Sequence, residues 1–362
     1  VNAIGAAIDI DDTDNLIAAD REALLRSSAT AGAQVRSTAA ALDEGALDSV
    51  RGRDRPRTVV WVAGRGTAGT AGAMLAATLG GLAAEPIVVA AEAPPWIGAL
   101  DVVVVAGDDP GDPALVDAAA TGVRRGARVV VAAPYEGPLR DTTAGRVAVL
   151  EPRVRVPDEF RLSRYLAAGL AVLHSVDAGL NTDLATLADE LDNEALQNSA
   201  GREVFTNPAK ALASRVSGHR VALAGDCPAT LALARHGSSV LLRIGQQVVA
   251  ASGLSDALVA VQETAALDDP ADALFHDEEI DGPLPERLRV LALTLGAERP
   301  IVAARIAGLA DVDLVSAEDM PQLTDSPPEA STPAGLRRAE HQLAILAVRL
   351  EMAAVYVRLV RG

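Results

Sequence analysis

A chain of 362 residues, 49% of them hydrophobic, is long enough to bury one large core or two ordinary ones. Its formal charge of −17 repels nucleic acid and anionic membrane surfaces, so neither is an expected partner, and a 2% aromatic content disfavours stacking on bases or polysaccharides. No apolar run has the length of a membrane span, no basic-then-apolar leader opens the chain, and the single cysteine, Cys227, excludes a disulfide framework or a cysteine-built metal site; a cytoplasmic protein is expected.

From the N-terminus, Asp9 to Leu42 reads as one capped helical segment, with acids first and apolar residues following at helical spacing. RPRTVVWVAGRGTAGTAGAMLAATLGG then reads as strand, glycine turn and helix. EPIVVAAE and ALDVVVVAG are apolar strands, PALVDAAATGVRRG is a helix, and ARVVVAAP and RVAVLEP return as strands. Strands that are apolar throughout and alternate with helices indicate a parallel sheet covered on both faces. Helical patterns fill the stretch from Pro157 to about Ser199, after which the alternation restarts. HRVALAGD is a strand, PATLALARHG a helix and SSVLLRIG a further strand; RLRVLALTLG and VDLVSAED follow as strands. A proline-rich loop, PQLTDSPPEASTP, leads into a closing helix with an apolar stripe of Leu343, Leu346, Leu350, Ala353 and Val357. The expected class is α/β, with two open parallel-sheet units of Rossmann-like or flavodoxin-like kind joined by helices. The expected boundaries are 1–152, 153–205 and 206–362, and no solenoid repeat is present.

Three stretches could carry chemistry. In AGRGTAGTAG the glycines Gly64 and Gly66 let backbone N–H groups approach an anion at a helix N-terminus. Arg65, Thr67 and Thr70 add charge and hydroxyls, although glycines also serve ordinary tight turns. The turn after the second long strand carries Asp108, Asp109 and Asp112 where an α/β protein usually seats a phosphate. A phosphate dianion about 5 Å from three aspartates meets six unfavourable pairs of roughly 0.8 kcal/mol each, about 5 kcal/mol in all, so direct phosphate binding is not expected there. On the plain reading, Asp112 with Pro113 caps the helix while Asp108 to Pro110 form a solvated turn. A rival reading takes Asp9, Asp11 and Thr13 as the D-x-D-x-T nucleophile motif of haloacid-dehalogenase-type phosphatases, but the lysine that mechanism needs is missing between the motifs. The third stretch is LFHDEEIDG, where acids beside His276 would raise its pKa for proton transfer, or where a surface loop happens to hold a histidine. His174 and His236 sit in helical patterns and read as packing or solvent-facing residues.

Taken together these segments resemble the sugar isomerase (SIS) fold and, within it, the bifunctional phosphoglucose/phosphomannose isomerases. WVAGRGTAGTAGAML is similar to that family's G-x-G-G-S opening, with Gly64, Gly66 and Thr67 in the motif positions. The Val102–Val131 stretch is similar to its phosphate segment, S-x-S-G-x-T followed by a helix and R-G-A. TNPAKALASRVSGHRVALAG is similar to its N-P-A-K segment, LFHDEEIDG to its H-N-E segment and AAVYVRLVRG to its closing helix. The resemblance implies aldose–ketose isomerisation of glucose or mannose 6-phosphate with fructose 6-phosphate. His276 would assist ring opening, Glu263 is the available base after a shift of alignment, and Gly64, Arg65, Gly66, Thr67, Thr70, Asp109 and Asp112 would surround the substrate. It also implies a homodimer, and no metal or cofactor. The departures are equally specific. The family's serine and threonine positions fall at Gly107, Asp109 and Asp112, and its N-E-N-A-K glutamate has no direct counterpart. The alternative is therefore a non-catalytic member that binds a carbohydrate derivative or a partner protein.

Overall fold

Valine-rich runs bounded by glycine turns make strands because a branched side chain suits the pleat and both sheet faces are covered. A computed structural model describes residues 8–52, 54–63, 65–180, 182–267, 287–318 and 338–361, with the backbone alone at 264–267. The first sheet contains β1 (Thr58–Ala63), β2 (Ile87–Ala90), β3 (Asp101–Ala106), β4 (Arg128–Ala132) and β5 (Ala148–Val149) in the order β2-β1-β3-β4-β5, all parallel. The second contains β6 (Arg220–Gly225), β7 (Ala250–Gly253), β8 (Leu288–Leu293) and β9 (Val312–Val315) in the order β7-β6-β8-β9, again parallel.

Alternation along each strand sorts the core into layers. Val59, Trp61, Val102, Val104 and Val130 face a central core, while Val60, Val62, Val103, Val105 and Val131 face an outer one built with α5 (Pro113–Arg124) and α6 (Gly137–Thr143). The second sheet mirrors this. Val221, Leu223, Leu291 and Leu293 join the same central core, and Ala222, Ala224, Val290 and Ala292 pack outward against α11 (Leu254–Leu267) and α12 (Arg299–Ile306). Between the sheets lie α4 (Thr67–Leu79), α7 (Leu162–Val176), α8 (Leu184–Gln197), α9 (Pro208–Val216), α10 (Pro228–Arg243) and α13 (Ala339–Arg361). Close approach here depends on glycine. A Cβ on Gly72 of α4 would stand 2.3 Å from Trp61 Cδ1, and one on Gly169 of α7 would stand 2.2 Å from Leu75 Cδ1. The small void left beside them, about 10 Å³, is lined by Trp61, Leu75, Val104 and Val172 and is a packing gap too small for a sugar.

The structure departs from the sequence reading in three places. The Asp9–Leu42 stretch is three helices, α1 (Thr13–Ala19), α2 (Leu24–Ser28) and α3 (Ala31–Asp43). Asp20 breaks it, accepting from the N–H groups of Leu24 and Leu25 at 2.7 and 3.0 Å. SSVLLRIG is not a strand. Its residues through Arg243 continue α10, because Leu233, His236, Gly237, Val240 and Leu241 keep helical spacing on one buried face. The closing helix has no single stripe, since nearly every residue from Glu340 to Val357 is buried and it forms the spine shared by both units. The proline-rich loop lies outside the described residues.

Candidate functional site

In each sheet the chain moves one way from the first strand and the other way from the third, so a crevice opens at the strand C-termini between β1 and β3 and between β6 and β8. Ligands of open α/β sheets bind at such switch points. The two crevices differ in what their own side chains do.

The second is closed on itself. Asp226, just after β6, accepts from Thr230 Oγ1 at 2.7 Å and from Thr294 Oγ1 at 3.1 Å, so the end of β8 and the first turn of α10 are tied to one carboxylate. Thr230 also accepts from the Cys227 N–H at 3.1 Å, capping the helix, and a Cβ on Gly225 would meet the Leu231 nitrogen at 2.2 Å.

The first is open. The N-cap of α4 is Gly66, held at φ 70°, and no side chain caps the helix there. A Cβ placed on Gly66 or Gly69 would meet nothing within 4 Å, so the space beside this turn is open among the described residues. Arg65 is exposed beside them. Thr67 is buried and its hydroxyl donates to Asp158 O at 3.2 Å, while Thr70 Oγ1 reaches Gly66 O at 3.5 Å. The turn Asp158–Phe160 that covers Thr67 is pinned from the other unit: Arg243 of α10 pairs with Asp158 Oδ2 at 3.1 Å and Glu159 Oε1 at 2.7 Å. Burial raises the Glu159 carboxyl above the ordinary range.

The three aspartates on the opposite wall have three different fates. Asp112 is the N-cap of α5 and accepts from the Ala114 N–H at 2.9 Å. Asp109 accepts from the Gly111 N–H at 2.8 Å in an Asx turn. Asp108, read from sequence as part of a solvated turn, is instead a bound carboxylate. Its Oδ1 accepts from Arg161 Nη1 and from the Tyr165 hydroxyl, each at 2.6 Å. Tyr165 is fully buried, which drives its phenol well above the ordinary pKa and keeps it a donor. Arg164, 4% exposed, lies 4.9 Å from the Tyr165 ring, donates from Nη2 to Leu150 O at 2.8 Å, and has no partner for Nη1 among the described residues. Burial lowers its pKa, yet a guanidinium remains a cation.

Of the expected site residues, Arg65, Gly66, Thr67, Thr70, Asp109 and Asp112 all border this crevice. Gly64 and His276 lie outside the described residues. Glu263 is exposed on α11, in the layer outside the second sheet, and the structure does not bring it to the first-sheet crevice. Asp9 and Asp11 precede a helix rather than ending a strand, and Asp11 accepts from the Val204 N–H at 2.8 Å and Lys210 Nζ at 3.4 Å, so they lack the geometry of a phosphatase nucleophile. Sequence reasoning missed Arg161, Arg164 and Tyr165, which the run RLSRY carries at the start of α7, with Arg161 as its N-cap. Among the described residues no group of three or more His, Cys, Asp or Glu side chains could hold a metal, and no helix is long and apolar enough to cross a membrane.

No family model matches the sequence, and no curated protein matches it either. Solved structures do resemble it over nearly the whole length. A protein assigned as a phosphosugar isomerase from Clostridium difficile 630 superposes with a TM-score of 0.61 at 11% identity, covering 93% of both chains. A protein assigned likewise from Silicibacter pomeroyi DSS-3 gives 0.59 at 18% identity, with 92% of this chain and 96% of that one covered. Tagatose-6-phosphate ketose/aldose isomerase from Escherichia coli gives 0.60 at 13% identity, with 94% of each covered. The chain has the α/β fold of the SIS-type phosphosugar isomerases.

Proposed function

We propose that this chain binds a carbohydrate derivative in the crevice between α4 and α5 and does not isomerise it. The observation that carries the reading is the contrast within one crevice. An uncapped, glycine-started helix faces open space, and among the described residues each acid named beside it already has a partner. Asp108 is tied to Arg161 and Tyr165, Asp109 and Asp112 to backbone N–H groups, and Glu159 to Arg243. Moving a proton between adjacent sugar carbons needs a free base near neutral pKa within reach of the substrate. Asp108 already accepts two short hydrogen bonds on one oxygen, and Glu159, whose carboxyl pKa burial raises, is held by Arg243 at 2.7 Å, so neither is free to serve. The neighbours' names supply the ligand class, and a homodimer belongs to the same reading.

The catalytic alternative rests on His276 and Glu263 and concerns fructose 6-phosphate. An NMR time course of that compound in D₂O with purified protein, beside His276→Ala, separates the two. The expected result is no glucose or mannose 6-phosphate and no deuterium at C2. Product with deuterium incorporation, lost in the variant, would establish an isomerase and overturn the proposal.

A further inference from the structure

The Asp108 clasp has the form of a filled anion site. One guanidinium and a buried phenol converge on one carboxylate oxygen, Asp108 Oδ1, and a second guanidinium, Arg164, lies over the Tyr165 ring at 4.9 Å. Pairing of this kind, short and charge-assisted, is how proteins hold phosphate or carboxylate ligands. The charges do not balance, because Arg161 alone pairs with the carboxylate while Arg164, behind the Tyr165 ring, has Nη1 buried without a partner among the described residues. The pocket also communicates with solvent: the Arg161 and Asp108 side chains keep 24% and 27% of their exposure. Asp108 arrives on the loop that follows β3, two residues past the strand's C-terminal end at the switch point.

We infer that Asp108 is a tethered anion occupying the pocket of Arg161, Arg164 and Tyr165, so that the crevice selects sugars bearing no phosphate group. This rests on the carbohydrate-binding reading above. An external phosphate would either displace Asp108 into its own field or sit beside an uncompensated carboxylate, and both are unfavourable. A neutral or amino sugar meets no such penalty, and its hydroxyl or ammonium groups can donate to Asp109 and Asp112, each of which spends only Oδ1 on a backbone N–H.

The test is calorimetric titration of inorganic phosphate, glucose and glucose 6-phosphate into the wild type, Asp108→Ser and Asp108→Asn at low ionic strength. Removing the carboxylate charge should raise phosphate affinity by at least about tenfold, and adding Arg161→Gln to Asp108→Ser should abolish the gain. The wild type should bind glucose 6-phosphate no more tightly than glucose. Asp108→Asn keeps an acceptor for Arg161 and Tyr165, so it carries the same test should the serine variant fail to fold. Failure of both variants to fold, no gain in either, or wild-type preference for glucose 6-phosphate overturns the inference. If the wild type binds neither sugar while Asp108→Ser gains phosphate, the carbohydrate reading fails and the tethered anion stands.

Discussion

Glu85 offers the clearest test of how this fold treats charge. It lies between α4 and β2 and is 3% exposed, and neither carboxylate oxygen has a hydrogen-bond partner among the described residues. Asp177, also buried, stands close by and is itself held by the Gly179 N–H at 2.9 Å and by Arg55 at 3.4 Å. Burial first, and the Asp177 charge second, raise the Glu85 pKa; Arg55 and Arg128 offset only part of this. The folded state therefore holds a proton that the unfolded chain releases near the ordinary glutamate value. Below that value Glu85 has no effect on stability. As pH rises toward the raised folded value, stability falls by up to about 1.4 kcal/mol per pH unit, and above it the loss is constant. Glu85→Gln keeps the shape, removes the charge and gives Asp177 a donor. Leaving a buried polar group unpaired costs about 1–3 kcal/mol, so the variant should be more stable than wild type by that order at pH 8 and equal to it near pH 4. Urea unfolding followed by far-UV circular dichroism across that range measures both the offset and its pH slope. A variant destabilised equally at every pH would refute the reasoning, since it would mean that the wild-type carboxylate is ionised and usefully paired with Arg55 or Arg128.

Two further substitutions probe the packing between the sheets. Arg349 of α13 donates from Nε to Glu194 Oε1 at 2.7 Å and from Nη1 to Ser316 O at 2.7 Å, all fully buried, so Arg349→Met strands a charge and should cost about 3–5 kcal/mol in chemical denaturation. Gly72→Ala drives a methyl into Trp61 and should cost about 1–3 kcal/mol, with a change in tryptophan emission reporting the displaced indole.

Most of the fold was legible because its signals are local. TVVWVA, DVVVVA and RVVVA are apolar on both faces, and a glycine or proline at the cap or first position of each following helix marks its start. What failed had a physical cause in each case. Asp20 and the left-handed Ala23, at φ 53°, cut a helical pattern that periodicity alone carries straight through. SSVLLRIG reads as a strand in isolation, and only the buried spacing beginning at Ala229 reveals the continuing helix. α13 is apolar enough to be surrounded, but its burial is visible only once α7, α8, α9 and α10 close around it. Of its buried charged residues, Arg349 is then neutralised by Glu194, and Glu351 shares a hydrogen bond with His236 at 2.9 Å.

The acidic turn shows where reading by neighbours in sequence reaches its limit. Charge counting sets Asp108, Asp109 and Asp112 against direct phosphate binding as a group, and helix-start chemistry correctly predicts the cap at Asp112. Neither can distinguish Asp108 from the other two, because its meaning is supplied by Arg161 and Tyr165, 53 and 57 residues further along. Those residues open α7, whose N-terminus reaches this turn because the helix packs across the central face of the first sheet with Gly169 against Leu75. A small-residue contact in the core thus decides that a carboxylate on the rim is an ion-pair partner rather than a solvated turn residue. The crevice inherits its selectivity from that packing. If α7 were displaced, Asp108 would return to solvent and the positive pocket would lose its geometry together with its occupant.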